Sequence, residues 1–397
     1  MATMPTGFAT PDEAPPMTVP RIDPFHAVGL STLAHQMAAE GRDIVHMEFG
    51  QPSTGAPKAA IAEAHRILDS DGMGYWESTP LKARIARHYL ETYGATVLPE
   101  QIWLTCGASP AFVLALNSAF TPGARIALAR PGYVAYRNTL RALYMEPVEI
   151  PCGPAERFQL SAAAIAALDP PPDGIILASP ANPTGTILSD AQMQAIVIVC
   201  RDRGIRIVSD EIYHGLSYVG PVRSILQDEP EALVVNSFSK YFSMAGWRLG
   251  WLVAPPSLIE AVRTRVGNMF LTPPSLSQHA GLIAFDCREE LEGHVRMYRH
   301  NRDLLLERLP ELGIERIAPP DGAFYIYADI GHLTNDSLAF CARLLADTGV
   351  ATAPGLDFDP VEGNRFMRFS FAVSTDRLEE ALRRMVPWFA RAGKAAD

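Results

Sequence analysis

Lys240 stands in company unusual for a lysine. It follows an apolar run, Ala232-Leu-Val-Val-Asn236, that reads as a buried strand. It lies on a loop of small residues, with Ser237 and Ser239 before it and Arg248 eight residues after it. The two hydroxyls and the guanidinium can satisfy an anion such as a phosphate, and a lysine held beside that anion can condense with an aldehyde. The chain has four lysines, Lys58, Lys82, Lys240 and Lys394; arginine carries the rest of the basic charge. Arginine stays protonated and cannot serve as the condensing amine, whereas lysine can once its pKa is lowered.

An aldehyde that carries a phosphate describes pyridoxal 5′-phosphate, and other stretches supply what that molecule needs. Gln101-Ile-Trp-Leu-Thr-Cys-Gly107-Ala108-Ser109 reads as a strand and a tight turn before a helix from Pro110. Gly107 permits the turn, and the free N–H groups of Ala108 and Ser109 at a helix start form an anion site. Tyr133, after the strand Ala127-Leu-Ala-Arg, offers an aromatic face for a flat ring, although a core tyrosine is the commoner fate there. Gly174-Ile-Ile-Leu-Ala leads to the turn Asn182-Pro-Thr-Gly185, and Arg206-Ile-Val-Ser leads to Asp210-Glu-Ile-Tyr213. Ser189 and Gln192 form a capping box that opens the intervening helix. Strand, helix, strand with short links predicts a parallel α/β sheet, whose ligands sit beyond the carboxyl ends of the strands. Asn182, Asp210 and Lys240 all fall at such ends. Arg368 interrupts an apolar strand, Phe366-Met-Arg-Phe-Ser-Phe, and an arginine there needs an anionic partner.

The ordered set of Gly-Ala-Ser, Tyr133, Asn-Pro-Thr-Gly, Asp-x-x-Tyr, Ser-x-Ser-Lys, Arg248 and Arg368 resembles the fold-type I pyridoxal-phosphate aminotransferases of class I/II, the family related to aspartate aminotransferase. The resemblance runs from about Asp43 to Ala372. It implies an α/β fold with a large domain, built on a mostly parallel central sheet flanked by helices, plus a smaller α/β domain. It implies catalytic roles for Lys240 as the Schiff-base lysine and proton carrier, for Asp210 beside the pyridine nitrogen, and for Tyr213 at the ring oxygen with Asn182. Gly107, Ala108, Ser109, Ser237, Ser239 and Arg248 would hold the phosphate, Tyr133 would stack on the ring, and Arg368 would take the substrate α-carboxylate. Gly50, in Gly-Gln-Pro, resembles the family's Gly-Glu-Pro segment along the substrate. Tyr75 resembles the tyrosine that reaches across a homodimer to the neighbouring cofactor. The segment after Tyr75 departs from the family: it is about three residues short and lacks a glycine.

The implied reaction moves an amino group from an L-amino acid to a 2-oxo acid such as 2-oxoglutarate. A β-eliminating C–S lyase on the same fold is the alternative, and a non-enzymatic regulator is disfavoured because the first forty residues are too short and Pro-rich for a DNA-binding module. A lysine that in some relatives follows the phosphate turn and serves acidic side chains is replaced by Ser109. Trp76, Tyr136 and Phe270 are neutral or apolar candidates for the lining, so a neutral or aromatic donor is expected, unless Arg84 or Arg137 supplies a charge. The 397 residues and 48% hydrophobic content predict two domains with ample core. Boundaries are expected at a Pro-rich flexible arm over 1–20, an N-terminal part of the small domain over 21–50, the large domain over 51–290 and the rest of the small domain over 291–397. A net charge of −10 without a basic run argues against nucleic acid. Five scattered cysteines without a CxxC, no signal-like start and no membrane-length apolar run point to a cytoplasmic protein without a metal site.

Overall fold

The computed structural model describes residues 19–394, so most of the arm expected over 1–20 lies outside the described residues. Twelve strands follow in chain order: β1 Val45–His46, β2 Ile102–Thr105, β3 Arg125–Arg130, β4 Glu146–Pro151, β5 Gly174–Ala178, β6 Arg206–Asp210, β7 Leu233–Ser237, β8 Gly250–Val253, β9 Tyr325–Asp329, β10 Val350–Ala351, β11 Ala353–Pro354 and β12 Phe366–Ser370. Seven of them form one sheet in the order β2-β8-β7-β6-β5-β3-β4. It is parallel from β4 to β7, and β8 runs antiparallel between β7 and β2. A parallel sheet is covered on both faces, which is why Ile175-Ile176-Leu177 of β5, Ile207-Val208 of β6 and Leu233-Val234-Val235 of β7 are apolar at successive positions. Alternate residues feed opposite cores. Ile175, Leu177, Ile207 and Val234 pack with the helices Thr79–Tyr93 and Asp190–Asp202, and Ile176, Val208, Leu233 and Val235 pack with the helix Ala108–Ala119.

The C-terminal portion builds an antiparallel sheet, β11-β12-β9, against the helices Arg288–Arg308, Ser337–Thr348 and Thr375–Lys394. β1 pairs with β10, which joins the N-terminal segment to this layer.

Local chemistry moved several element boundaries. β1 covers only Val45–His46; Met47 still bonds to the backbone of Ala351 and Ser370, and beyond it the carbonyls turn to side chains, Glu48 O accepting from Arg368 and Gly50 O from Lys240. The helix expected from Pro110 begins at Ala108, with Gly107 as its cap at φ +95°. The helix after the short segment that follows Tyr75 begins at Thr79, where Ser78 Oγ accepts from Leu81 N at 3.2 Å. The Ser189–Gln192 capping box forms as expected, Gln192 N donating to Ser189 Oγ at 3.3 Å and Ser189 N to Gln192 Oε1 at 2.9 Å.

Candidate active site

A cavity of about 350 Å³ opens where β5, β6 and β7 end and the C-terminal sheet comes over them. Of the residues singled out in the sequence, Gly50, Ala108, Ser109, Tyr133, Asn182, Asp210, Tyr213, Ser239, Lys240, Arg248 and Arg368 line it. These come from every part of the chain between residues 50 and 368.

At one end lie the first-turn residues Ala108 and Ser109, Ser239 and Arg248. Gly107 is required there: a Cβ would stand 2.5 Å from Arg248 Nη2, on a backbone whose φ already favours glycine. Arg248 donates to Cys106 O and Ala245 O, at 3.0 and 2.9 Å, and forms no ion pair among the described residues. Ser237 is placed differently from expectation. Its hydroxyl accepts from Ser239 N at 3.1 Å and lines a separate cavity behind the loop, so it braces the loop from beneath. Gly107 likewise makes room for Arg248 without lining the cavity itself.

At the other end Asp210 is buried, and burial pushes its carboxyl up to about 6. The Tyr136 hydroxyl donates to Oδ2, Ile212 N donates to Oδ1 at 3.1 Å, and Lys240 adds a favourable charge; these hold the shift in check. Tyr136 therefore serves Asp210 from inside the cavity, a role its sequence position did not disclose. Lys240 sits between the two ends. Burial, then repulsion from Arg368, lowers its amine to about 8, so a fraction is neutral and nucleophilic near pH 7.

Arg368 is 2% exposed and has no carboxylate partner among the described residues. Nη1 donates to Asn182 Oδ1 at 2.8 Å, Nη2 donates to Glu48 O, and Nε has no partner. A buried guanidinium with a free donor beside a cavity is built for an incoming anion. Tyr325 was missed altogether. Its hydroxyl lies 2.7 Å from that of Tyr213, and a Cβ on Gly50 would lie 1.5 Å from it. A glycine at an extended stretch that ends in Gly-Gln-Pro was the available signal that something approaches the backbone closely.

Other expected lining residues face elsewhere. Trp76 stacks on His279 at 4.3 Å, and Phe270 packs with the core beside the helix Ala108–Ala119. Arg84 pairs with Glu91 and Asp286. Arg137 is buried against Asp23, Glu149 and the Asp357 carbonyl. Neither arginine charges the cavity. Tyr75 is 87% exposed and contributes nothing to the site of its own chain.

The donor set fits a phosphorylated pyridine aldehyde. It offers an anion cradle that a Cβ at Gly107 would fill, a partly buried lysine whose amine is lowered to about 8, a buried carboxylate and Tyr133 in the lining.

The comparisons agree with this chemistry. The family model described as aminotransferase class I and II matches residues 42–385. The chain is 46% identical over 374 residues to the valine–pyruvate aminotransferase of Mycobacterium tuberculosis, covering 92% of this chain and 96% of that protein. It is 30% identical over 383 residues to the aspartate/prephenate aminotransferase of Thermus thermophilus, covering 94% and 98%. Among solved structures, an aminotransferase from M. tuberculosis superposes with a TM-score of 0.90 at 46% identity, covering 93% of this chain and 97% of that one. The T. thermophilus aspartate aminotransferase with maleate superposes at 0.85 and 30% identity, covering 92% and 97%. The chain belongs to the class I and II aminotransferases: it is a transaminase of pyridoxal-phosphate fold type I.

Proposed function

We propose that the enzyme exchanges an amino group between a neutral L-amino acid and a monocarboxylic 2-oxo acid of the pyruvate class. The observation that carries this reading is the charge of the lining. Its lysine and arginine side chains are Lys240, Arg248 and Arg368. Assigned to the cofactor aldehyde, its phosphate and the substrate α-carboxylate, they leave no cation of this chain for a second carboxylate. Phe25, Phe49, Phe112 and Ile176 supply apolar surface instead. 2-Oxoglutarate, the acceptor expected from the sequence, brings a side-chain carboxylate that this lining does not neutralise. The valine–pyruvate activity of the M. tuberculosis relative supports the same preference.

When bound, pyridoxal phosphate supplies an electron sink for charge that develops at the substrate α-carbon. The chain does the rest. Ser239, Arg248 and the N–H groups of Ala108 and Ser109 hold the phosphate, with Ser237 bracing the loop and Gly107 making room. Asp210, which accepts from Tyr136, would pair with the ring nitrogen and favour its protonated form. Tyr213 Oη and Asn182 Nδ2 donate to the ring oxygen, and Tyr133 covers the ring. Arg368 grips the α-carboxylate beside Gly50, and Lys240 Nζ takes and returns the α-proton.

The same reading covers assembly and placement. Residues 51–290 act as the large domain, and 21–50 with 291–397 as the small one. A second copy receives the exposed Tyr75 at its phosphate end, making a homodimer. The unpaired state of all five cysteines supports a reducing, cytoplasmic setting. No helix among the described residues is long and apolar enough to cross a membrane.

The test is a donor and acceptor panel on the cofactor-loaded enzyme. L-Valine, L-alanine and L-phenylalanine should convert the visible band stoichiometrically, L-aspartate at least about 10-fold less efficiently, and pyruvate should restore the band faster than 2-oxoglutarate. An L-aspartate and 2-oxoglutarate preference would sink the reading.

A further inference from the structure

We propose that Tyr325 is a positioning residue that aims the Tyr213 proton at the cofactor's ring oxygen and makes that aim respond to carboxylate binding at Arg368. This rests on the reading of Tyr213 as a donor to that oxygen.

The pair is buried, Tyr325 at 1% and Tyr213 at 5% exposure, with hydroxyls 2.7 Å apart and rings edge to face at 79°. Each phenol owns one proton. Burial raises both phenols above their ordinary value, so both keep that proton at neutral pH. Neither hydroxyl has another hydrogen-bond partner among the described residues. If Tyr213 spends its proton on an anionic ring oxygen, its own oxygen must be met by a donor, and Tyr325 is the donor in place. The chain Tyr325 to Tyr213 to ring oxygen is then fixed in one direction, and each bond polarises the next.

Tyr325 also touches the rest of the machinery. The Arg368 guanidinium lies 4.3 Å from its ring centroid, and Arg368 draws its pKa down against the rise from burial. A cation beside the ring makes the phenol a stronger donor; a carboxylate on Arg368 cancels part of that charge and weakens the donation. The hydroxyl also fills the space that Gly50 leaves open, and Gly50 O accepts from Lys240. β9 and β12 are neighbours in register, Tyr327 opposite Arg368, so the two side chains are carried on one rigid sheet.

The test is a pH titration of the visible band of the holoenzyme, with isovalerate as a carboxylate probe that lacks an amino group. A bond donated to the ring oxygen stabilises its anionic form and lowers the midpoint. Tyr213→Phe should raise the midpoint by about one unit, the scale of one hydrogen bond to a charged group, and Tyr325→Phe by about half of that. The double variant should match Tyr213→Phe alone, and Tyr325→Phe should at least halve the shift that isovalerate causes. An unmoved midpoint in Tyr325→Phe beside a moved one in Tyr213→Phe overturns the inference and leaves the reading of Tyr213 standing. Additive shifts in the double variant overturn it too, because Tyr325 would then act without Tyr213. An unmoved midpoint in Tyr213→Phe rejects the underlying reading itself.

Discussion

Arg137 and Arg368 are equally buried, at 3% and 2% exposure, yet they are opposites. Arg137 is held by Asp23 at 3.3 Å, Glu149 at 3.1 Å and the Asp357 carbonyl at 3.2 Å. Its charge is neutralised where it stands, and it ties the helix Val134–Ala142 to β4 and to the segment before the first described helix. Arg368 meets only neutral oxygens, from Asn182 and Glu48, and leaves Nε without a partner. Burying a charge without a counter-charge is costly, so a fold keeps one only where a ligand completes it. The same contrast separates Lys240 and Arg248 in the cavity from Arg84 outside it, which has Glu91 and Asp286. Incomplete pairing, rather than burial or charge alone, marks the site.

The comparison breaks most severely at Lys240. Lys240→Ala should abolish the visible band and lower turnover by at least about 10⁴-fold, the upper range for a lost general base, with the thermal midpoint of the cofactor-free protein not reduced. Arg137→Gln should do the reverse. It removes the ion pair of Glu149 and the bond to the Asp357 carbonyl, while Asp23 keeps Arg141, and should cost about 1.5–3 kcal/mol in denaturant unfolding, the scale of hydrogen bonds to a charged group, while the half-saturating donor concentration of the remaining folded enzyme stays put.

The smallest expected effect is a slope. Glu211, beside Asp210, is 1% exposed, and burial pushes its carboxyl up to about 8 from 4.5, against hydrogen bonds from Ser224, Ile225 and Ser209. The unfolded chain releases this proton near pH 4.5 while the folded chain keeps it. Glu211 therefore makes the fold less stable as pH rises from about 4.5 to about 8. In Glu211→Gln the thermal midpoint should fall less steeply across that window; an unchanged slope would show that Glu211 is ionised in the folded protein.

The sequence made the strand ends legible, because a run such as Leu233–Ser237 followed by small residues and a lone lysine is a local pattern. Asn182, Asp210 and Lys240 could be placed together for that reason. Tyr136 with Asp210 and Tyr325 with Tyr213 could not. The partners lie 74 and 112 residues apart, and a tyrosine after a strand looks the same whether it packs in a core or supports a carboxylate. Arg84 and Arg137 were open for the same reason: only the fold shows that their counter-charges come from Asp286 and Asp23. Ser237, expected at the phosphate, ends β7 with its hydroxyl taken up by Ser239 N, and it is Ser239, past the strand end, that lines the cavity; the local pattern does not distinguish the two.

The most direct measurement is the half-reaction of Arg368→Gln with the best L-amino acid donor, followed through the visible band alongside the unfolding curve. Loss of one hydrogen-bonded charge contact of about 1.5–3 kcal/mol should raise the half-saturating donor concentration by roughly 10- to 150-fold. The thermal midpoint should stay within about 3 °C of the parent, since no counter-ion is left stranded. An unchanged half-saturating concentration with a stability loss like that of Arg137→Gln would contradict the account and make Arg368 a structural residue.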